Sequence, residues 1–440
     1  VSVLYWLTAK RTIMDQVIEA LRAGSPDAAA LFATATRGCS NADLTAASGV
    51  TSLPNDFGKD HSTLQEVKLP PSITTVGDGC FAGAAALRQL DVGHLRSLTT
   101  IGSDFCANAK KLKGPVALPA SVTSIGSGFC RNTRALRGAD FSRATGLTAL
   151  PDDCLRGSGV AAVALPPNVH SIGDRFASGA DQLERLEIAH LSCLQRVGAH
   201  FCSHTDSLRG ELAFPPGVSV FGPDLLACTP LVTNVDLSRC DKLESIPDRA
   251  FFSSNVTRIA LPASSLRSIG GYFAADATML EHLDLSELSA LREIGDQFCA
   301  GAMRLQGDMA LPPSVVSVGD WFMRNTPLVR KVDMSAATEL TALPDHVLFA
   351  SGVEVVELPP KVEAIGDHFA AHARSLSRCD VSQLNSLREI GASFCANASL
   401  ANRLDAASVP DTVANIGDNF ARPPVAVASP PTPAVTSAAT

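Results

Sequence analysis

Hydrophobic residues recur along almost the whole chain in one arrangement. A run written L-x-x-L-x-L is followed, after a short polar stretch, by an apolar residue, then Gly or Pro, and then Phe or Leu. We call the apolar residue before that Gly or Pro the landmark of the unit. The alternation at the end of L-x-x-L-x-L predicts a short strand with one buried face. The sixteen landmarks are Leu53, Val76, Ile101, Ile125, Leu150, Ile172, Val197, Phe221, Ile246, Ile269, Ile294, Val318, Leu343, Ile365, Ile390 and Ile416.

The landmarks are 22 to 26 residues apart, a spacing typical of leucine-rich repeats. One such unit cannot bury its own apolar face, but stacked neighbours can, so the pattern predicts a solenoid. A second, longer repeat period is superimposed on this spacing. Pro replaces Gly after Leu53, Leu150, Ile246 and Leu343, at spacings of 97, 96 and 97 residues. The array therefore consists of four-unit blocks, which duplication explains.

Each unit has a physical interpretation, illustrated by Leu165–Phe176, LPPNVHSIGDRF. Pro166 ends the strand because proline donates no ladder hydrogen bond. We expect Gly173 to turn the chain through a positive φ and Asp174 to cap a short helix that buries Phe176. Parallel strands lie about 4.8 Å apart, so sixteen units would extend over roughly 75 Å.

The ends of the chain do not repeat. Residues 1–36 predict an N-terminal helical cap, with one apolar face at helical spacing from Ile13 to Leu21. Residues 37–420 form the solenoid. Residues 421–440, rich in Pro, Ala, Ser and Thr, predict a disordered tail or linker. The chain begins at Val1 rather than Met, as expected of a processed chain or of a piece of a longer one.

Composition and charge narrow the function. The chain is 46% hydrophobic, 18% charged and carries a formal net charge of -8. A negative chain without clustered Lys and Arg argues against nucleic acid as a partner. No apolar run approaches the 18 residues of a membrane-spanning helix. Among the twelve cysteines, five directly follow the repeat Phe, which indicates small buried hydrophobes rather than a disulfide framework.

The run LPxSVxSIGxxF, preceded by LxxLxL, resembles the BspA-like leucine-rich repeats, also called the Treponema pallidum type, whose pattern is close to LxxIxIPxSVTSIGxxAFxxC. The close copies are Leu69–Phe81, Leu118–Phe129, Leu165–Phe176, Leu261–Phe273, Leu311–Phe322 and Leu358–Phe369. The resemblance covers about residues 37–420. This chain departs from the pattern in every second unit, where a form such as Leu283-Asp284-Leu285-Ser286 replaces the Leu-Pro segment.

The resemblance implies a fold of the α/β class, a right-handed leucine-rich-repeat solenoid. Its parallel strands would line the concave face, and short helices or 3₁₀ turns the convex face. It also implies recognition of proteins or surfaces, since the members associated with the family are bacterial and protist surface proteins involved in adhesion. It therefore suggests a cell-surface or secreted location. The unpaired cysteines suggest a reducing cytoplasm as the alternative.

Carboxylates form the strongest candidate site. The strand residue between the last two core positions should face the concave side, and in alternate units it is always acidic. In the Leu-Pro units between them it is mainly Ala. We predict a partner-binding row, which with Asp43 at its start consists of Asp91, Asp140, Glu187, Asp236, Asp284, Asp333 and Asp380. The alternative is structural: each acid pairs with Arg185, Arg258, Arg330 or Arg378, or bonds the adjacent backbone.

Metal and enzyme hypotheses have little support. His200, Cys202 and His204 are metal-ligand residue types without a recognised spacing, and His368 and His372 lack the Glu of a zinc protease helix. No phosphate-binding loop or serine-hydrolase motif occurs. The sequence predicts no catalytic residue, cofactor or metal. It predicts a non-enzymatic protein-binding scaffold with a basic partner. The alternative is a structural subunit or spacer of a larger protein or assembly.

Overall fold

The computed structural model describes residues 13–402 and 409–421. In these residues the chain winds into a solenoid, and each strand pairs in parallel with the equivalent strand of the next coil. The predicted leucine-rich-repeat solenoid is confirmed. Every coil has three sides: one with the L-x-L strand, one with the landmark strand, and one built from turns.

The L-x-L strands form the first side, which we call the LxL face. Their central residues point into the core, as in Gly138–Asp140, where Ala139 is buried. These strands are Asn41–Asp43, Glu66–Lys68, Gln89–Leu90, Pro115–Ala117, Gly138–Asp140, Ala162–Ala164, Arg185–Leu186, Arg209–Ala213, Leu231–Asp236, Arg258–Ala260, Gln306–Ala310, Leu328–Asp333, Val355–Glu357 and Arg378–Cys379. A single bridge at His282 continues the side after Arg258.

The landmark strands form the second side, the landmark face. Each is two residues long, and its second residue is one of the sixteen predicted landmarks. The strands are Ser52–Leu53, Thr75–Val76, Thr100–Ile101, Ser124–Ile125, Ala149–Leu150, Ser171–Ile172, Arg196–Val197, Val220–Phe221, Ser245–Ile246, Ser268–Ile269, Glu293–Ile294, Ser317–Val318, Ala342–Leu343, Ala364–Ile365, Glu389–Ile390 and Asn415–Ile416.

Proline explains why the landmark face is divided into sheets of four strands. The N–H of the landmark glycine donates to the landmark carbonyl of the preceding coil, as from Gly173 to Leu150 at 2.8 Å. Proline has no N–H to donate. The sheet accordingly ends before the coils that carry Pro151, Pro247 and Pro344, and the first sheet begins at the coil that carries Pro54. The four-unit block read from the sequence is thus a four-stranded sheet.

The third side is made of turns in which every second residue has a positive φ. In one coil these residues are Arg175, Ala177 and Gly179, with φ of 56°, 50° and 66°. The N–H of Arg175 donates to Ala199 of the next coil, whereas the N–H of Ala177 donates to Cys154 of the preceding one. Alternating left- and right-handed residues cannot form a helix, so this side holds hydrogen-bonded turns, with one 3₁₀ helix at Ser399–Asn402.

Two local expectations are wrong. The landmark glycine has no positive φ; instead, a Cβ on Gly173 would lie 2.5 Å from Oδ1 and 2.6 Å from the backbone nitrogen of Asp152. Glycine is needed because adjacent coils approach closely. Asp174 caps no helix, because its Oδ1 accepts the backbone N–H of Ala199 in the next coil at 2.9 Å. Phe176 is fully buried, as predicted.

Two helices precede the first coil, over residues 13–22 and at Ala28–Ala35. Phe32 stacks on Phe57 of the first coil, with ring centroids 4.1 Å apart. Val17 and Leu21 belong to the same continuous core as the coils. These contacts support a capping role for residues 1–36, which stays a prediction. The predicted tail lies outside the described residues beyond Ala421.

Candidate protein-binding face

The structure places the row of carboxylates on the LxL face, in register with small residues of the neighbouring coils. Asp140 lies between Ala117 and Ala164, and Asp236 lies between Ala213 and Ala260. Alanine on both sides separates these two carboxylates from their neighbours in the row, whereas Asp333 lies between Ala310 and Glu357. The alternation in the sequence is therefore an alternation in space.

Most of the carboxylates hold a local turn. Oδ1 of Asp140 accepts the backbone N–H of Ser142 at 3.0 Å and its hydroxyl at 2.6 Å. Gly93 supplies only a backbone N–H to Asp91, and Glu187 has no such turn in the part of the chain that the structure describes. The two bonds seen at Asp140, from the backbone N–H and the hydroxyl of the Thr or Ser two residues later, are also accepted by Asp43, Asp236, Asp284, Asp333 and Asp380.

In the described residues, none of the four arginines proposed as structural partners forms an ion pair with the row. Arg330 pairs with Glu354, and Arg378 pairs with Glu357 at 2.9 Å. Within the described ranges, Arg185 and Arg258 form no ion pair. Lys331 pairs with Asp333 at 2.9 Å, a contact that the sequence analysis did not foresee. The row thus bonds its own backbone mainly through Oδ1.

The acids of the row fall into two classes, according to whether the residue after the acid donates its N–H to the next coil. The sequence did not reveal this distinction. After Asp140 and Asp236, the N–H of the next residue donates to the following coil, as from Leu237 to Ala260 at 2.9 Å. No such bond follows Asp91, Glu187 or Asp284 in the parts of the chain that the structure describes. The LxL face is interrupted at these three points, once in every block. A signal was available: Gly114, Gly210 and Gly307, spaced 96 and 97 residues apart, each begin the coil beyond an interruption.

The histidines singled out as metal-ligand types lie on the turn side. The ring of His346 stacks on Trp321 with centroids 3.7 Å apart and on His368 at 4.7 Å, while His372 meets the edge of Phe349. His200 faces Asp224 at 3.7 Å. Across residues 13–402 and 409–421, no three His, Cys, Asp or Glu side chains are arranged to hold a metal ion.

Nine of the twelve cysteines are buried. Burial raises the pKa of Cys80 to about 12 and that of Cys202 further above its ordinary value. Because the thiolate is the nucleophile, these thiols are unreactive at neutral pH. They act as small apolar side chains of the core.

These features define a leucine-rich-repeat solenoid. A family model described as BspA type leucine rich repeat region (6 copies) matches residues 33–145, 99–229, 227–329 and 306–421. Together these matches cover most of the chain, which therefore belongs to the BspA-type leucine-rich-repeat family. In the described residues, no helix is both long enough and apolar enough to cross a membrane.

Two solved structures of bacterial proteins are similar to the chain. A leucine-rich repeat protein from Bacteroides ovatus is 18% identical with a TM-score of 0.49, over 86% of this chain and 85% of that chain. The functional domain of InlJ from Listeria monocytogenes is 16% identical with a TM-score of 0.38, over 70% of this chain and 64% of that chain. Identities this low carry no information about partners. None of the curated proteins compared with the chain matches it.

Proposed function

We propose that the protein is a non-enzymatic recognition scaffold that binds a protein partner through its LxL face. Membership of a leucine-rich-repeat family supports the general role, because such solenoids offer long, rigid binding surfaces. The observation that carries the finer proposal is the carboxylate row. Its members lie on one face. Among the residues that the structure describes, Asp333 forms an ion pair with Lys331, Asp91 lies beside His94, and the other five predicted residues form no ion pair.

A row of this kind favours a basic partner segment. Asp91, Glu187, Asp284 and Asp380 are exposed. Successive members of the row lie two coils apart, about 10 Å, which is close to a Debye length, so they do not repel one another strongly. Glu357, in register with Asp333, adds a further acid near the end of the row. An extended segment with Lys or Arg at matching intervals would meet them in turn. By its family, the protein would act in adhesion or recognition at a cell surface.

Selection from a random octapeptide library tests the proposal. The turn geometry suggests the variant: Asn keeps the Oδ1 acceptor and removes the charge, so Asp236→Asn, Asp284→Asn and Asp333→Asn are combined. We expect the natural chain to enrich peptides rich in Lys and Arg, and the variant to lose that enrichment. A control variant, Glu293→Gln with Glu389→Gln on the landmark face, should behave like the natural chain. Equal enrichment by all three would overturn the proposal.

The alternative function, a structural subunit or spacer, makes a different prediction. It requires self-association or a fixed neighbour rather than a peptide ligand. Sedimentation across concentration separates the two, since a chain that stays monomeric at micromolar levels disfavours assembly through its own copies.

A further inference from the structure

The interruptions of the LxL face open into clefts. The larger described cleft, about 770 Å³, lies between the coil of His282–Asp284 and the coil of Gln306–Ala310. Its equivalent one block earlier, about 600 Å³, lies between the coils of Arg185–Glu187 and Arg209–Leu212. We name them the Asp284 cleft and the Glu187 cleft. They are four coils apart, about 19 Å.

A ladder bond is missing beside the Asp284 cleft. After Asp43, Asp140, Asp236 and Asp333, the next residue donates its N–H to the following coil, as Met334 does to Glu357 at 2.8 Å. Leu285 occupies that position here and is fully buried, yet in the described residues its N–H has no backbone acceptor. Without that bond the two coils are not joined on this face, which leaves room for the cleft between them.

The strand beyond the cleft, Gln306–Ala310, leaves open space for a ligand. Gly307 has a φ of 93°, and a Cβ built on it would meet nothing within 4 Å. The strand register shifts between Gly307 and Asp308, which marks a bulge. Bulges re-aim side chains next to binding sites. Leu328, which pairs with Gln306 beside the cleft, is 48% exposed and offers an apolar contact.

Charge distinguishes the two clefts. Three acids, Asp284, Glu287 and Asp308, line the Asp284 cleft, together with Arg258 and His282. In the Glu187 cleft, Glu187 and Glu211 are balanced by Arg185 and Arg209. In the coils that form the Glu187 cleft, His190 is the residue equivalent to Glu287, and Arg209 is the residue equivalent to Gln306. The two clefts therefore share a backbone plan, but only the Asp284 cleft has an excess of negative charge.

We infer that the Asp284 cleft binds an extended segment of a protein partner that carries a Lys or Arg side chain. The segment lies between the two coils, and its cation meets Asp284 and Asp308. Oδ1 of Asp284 is occupied by Ser286, at 2.9 Å from the N–H and 2.7 Å from the hydroxyl, which leaves Oδ2 for the cation. This inference rests on the proposed function and assigns it a place.

The test uses the full chain and the labelled peptide acetyl-(Gly-Lys)4-amide. We expect it to bind, acetyl-(Gly-Glu)4-amide not to bind, and Asp284→Asn with Asp308→Asn to weaken binding at least tenfold. The matched control, Glu293→Gln with Glu389→Gln on the landmark face, should change affinity less than twofold. Hydrogen exchange should show protection by the peptide at residues 283–288 and 306–310 and none at residues 187–190 and 209–213.

Three outcomes would overturn the inference, and they are distinguishable. If Asp236→Asn with Asp333→Asn weakens binding while the Asp284 and Asp308 variant does not, the row binds the peptide outside the cleft and the proposed function survives. If spermine competes as well as the lysine peptide and protects the same residues, the cleft is a general cation site. If the lysine peptide does not bind the natural chain, the cleft inference and the basic-partner proposal both fail.

Discussion

Asp236 and Ser238 form a closed local turn on the LxL face. One carboxylate oxygen of Asp236 accepts the backbone N–H of Ser238 at 2.9 Å and its hydroxyl at 2.6 Å. We expect Asp236→Ala to lower the free energy of unfolding by about 1 kcal/mol, the usual cost of losing such a capping bond. Asp236→Asn should lose less, because the amide oxygen still accepts. Urea unfolding followed by circular dichroism measures both; equal losses would show that charge, not the turn, matters.

Acid should weaken the turns of the row. The hydroxyl of Ser382, and then its backbone N–H, hold the pKa of Asp380 below its ordinary value. An unfolded Asp titrates near about 3.9, so the stabilisation is complete above that pH and is lost as the pH falls through the lower pKa of the folded form. We expect the difference in unfolding free energy between the natural chain and Asp380→Asn to shrink below about pH 4. A difference that grows there would contradict the assignment.

Close contact between coils, not backbone conformation, should decide the effect of replacing a landmark glycine. The Cβ in Gly173→Ala would lie 2.5 Å from Asp152, so we expect a loss of about 1–3 kcal/mol through overpacking. Gly138→Ala is the matched control, because its Cβ would meet its nearest neighbour at 3.7 Å. That control should be neutral or slightly stabilising. Thermal unfolding of the two variants side by side is the measurement.

The stacked histidines should make stability depend on pH. Burial, and then the nearby charge of His368, lower the pKa of His346; Arg324 acts in the same direction, and Asp345 and Asp320 oppose it. A folded pKa below the unfolded value of about 6.5 means that stability is present above that pH and is lost as the pH falls through the folded value.

Replacing the titrating ring tests this dependence. His346→Phe keeps an aromatic ring against Trp321 and removes the titration. We expect the natural chain to lose more stability than His346→Phe between about pH 7.5 and pH 5.5, a range that brackets the ordinary histidine pKa. Equal losses would place the pH dependence elsewhere.

The hydrophobic period predicted the fold in detail. All sixteen landmarks end a strand, and the replacement of Gly by Pro marked the sheet boundaries before their cause was visible. The turn side was not predictable from local preference. Trp321 and Leu348 have φ of 60° and 58°, which bulky residues seldom adopt. Hydrogen bonds to neighbouring coils impose that conformation, and those partners are about one unit away in sequence.

The sequence predicted the face on which the acids lie, but not which acids are followed by a hydrogen bond to the next coil. Strand alternation sufficed to place Asp140, Asp236 and Asp284 on one face. Whether the bond after each acid forms depends on how the following coil approaches, which is set by residues such as Gly210 and Gly307. Nothing within the acid's own unit carries that information. The binding role of the row stays a prediction.

The two sets of interruptions do not coincide. The LxL face is broken before the coil of Gln306–Ala310, while the landmark face is broken after that same coil, between Val318 and Ala342. Each such coil is therefore tied to the earlier block on one face and to the later block on the other. In the described residues, each pair of adjacent coils is joined by strand pairing on at least one face. That continuity would keep the separation of successive clefts constant, and it would suit a partner with evenly spaced contact points.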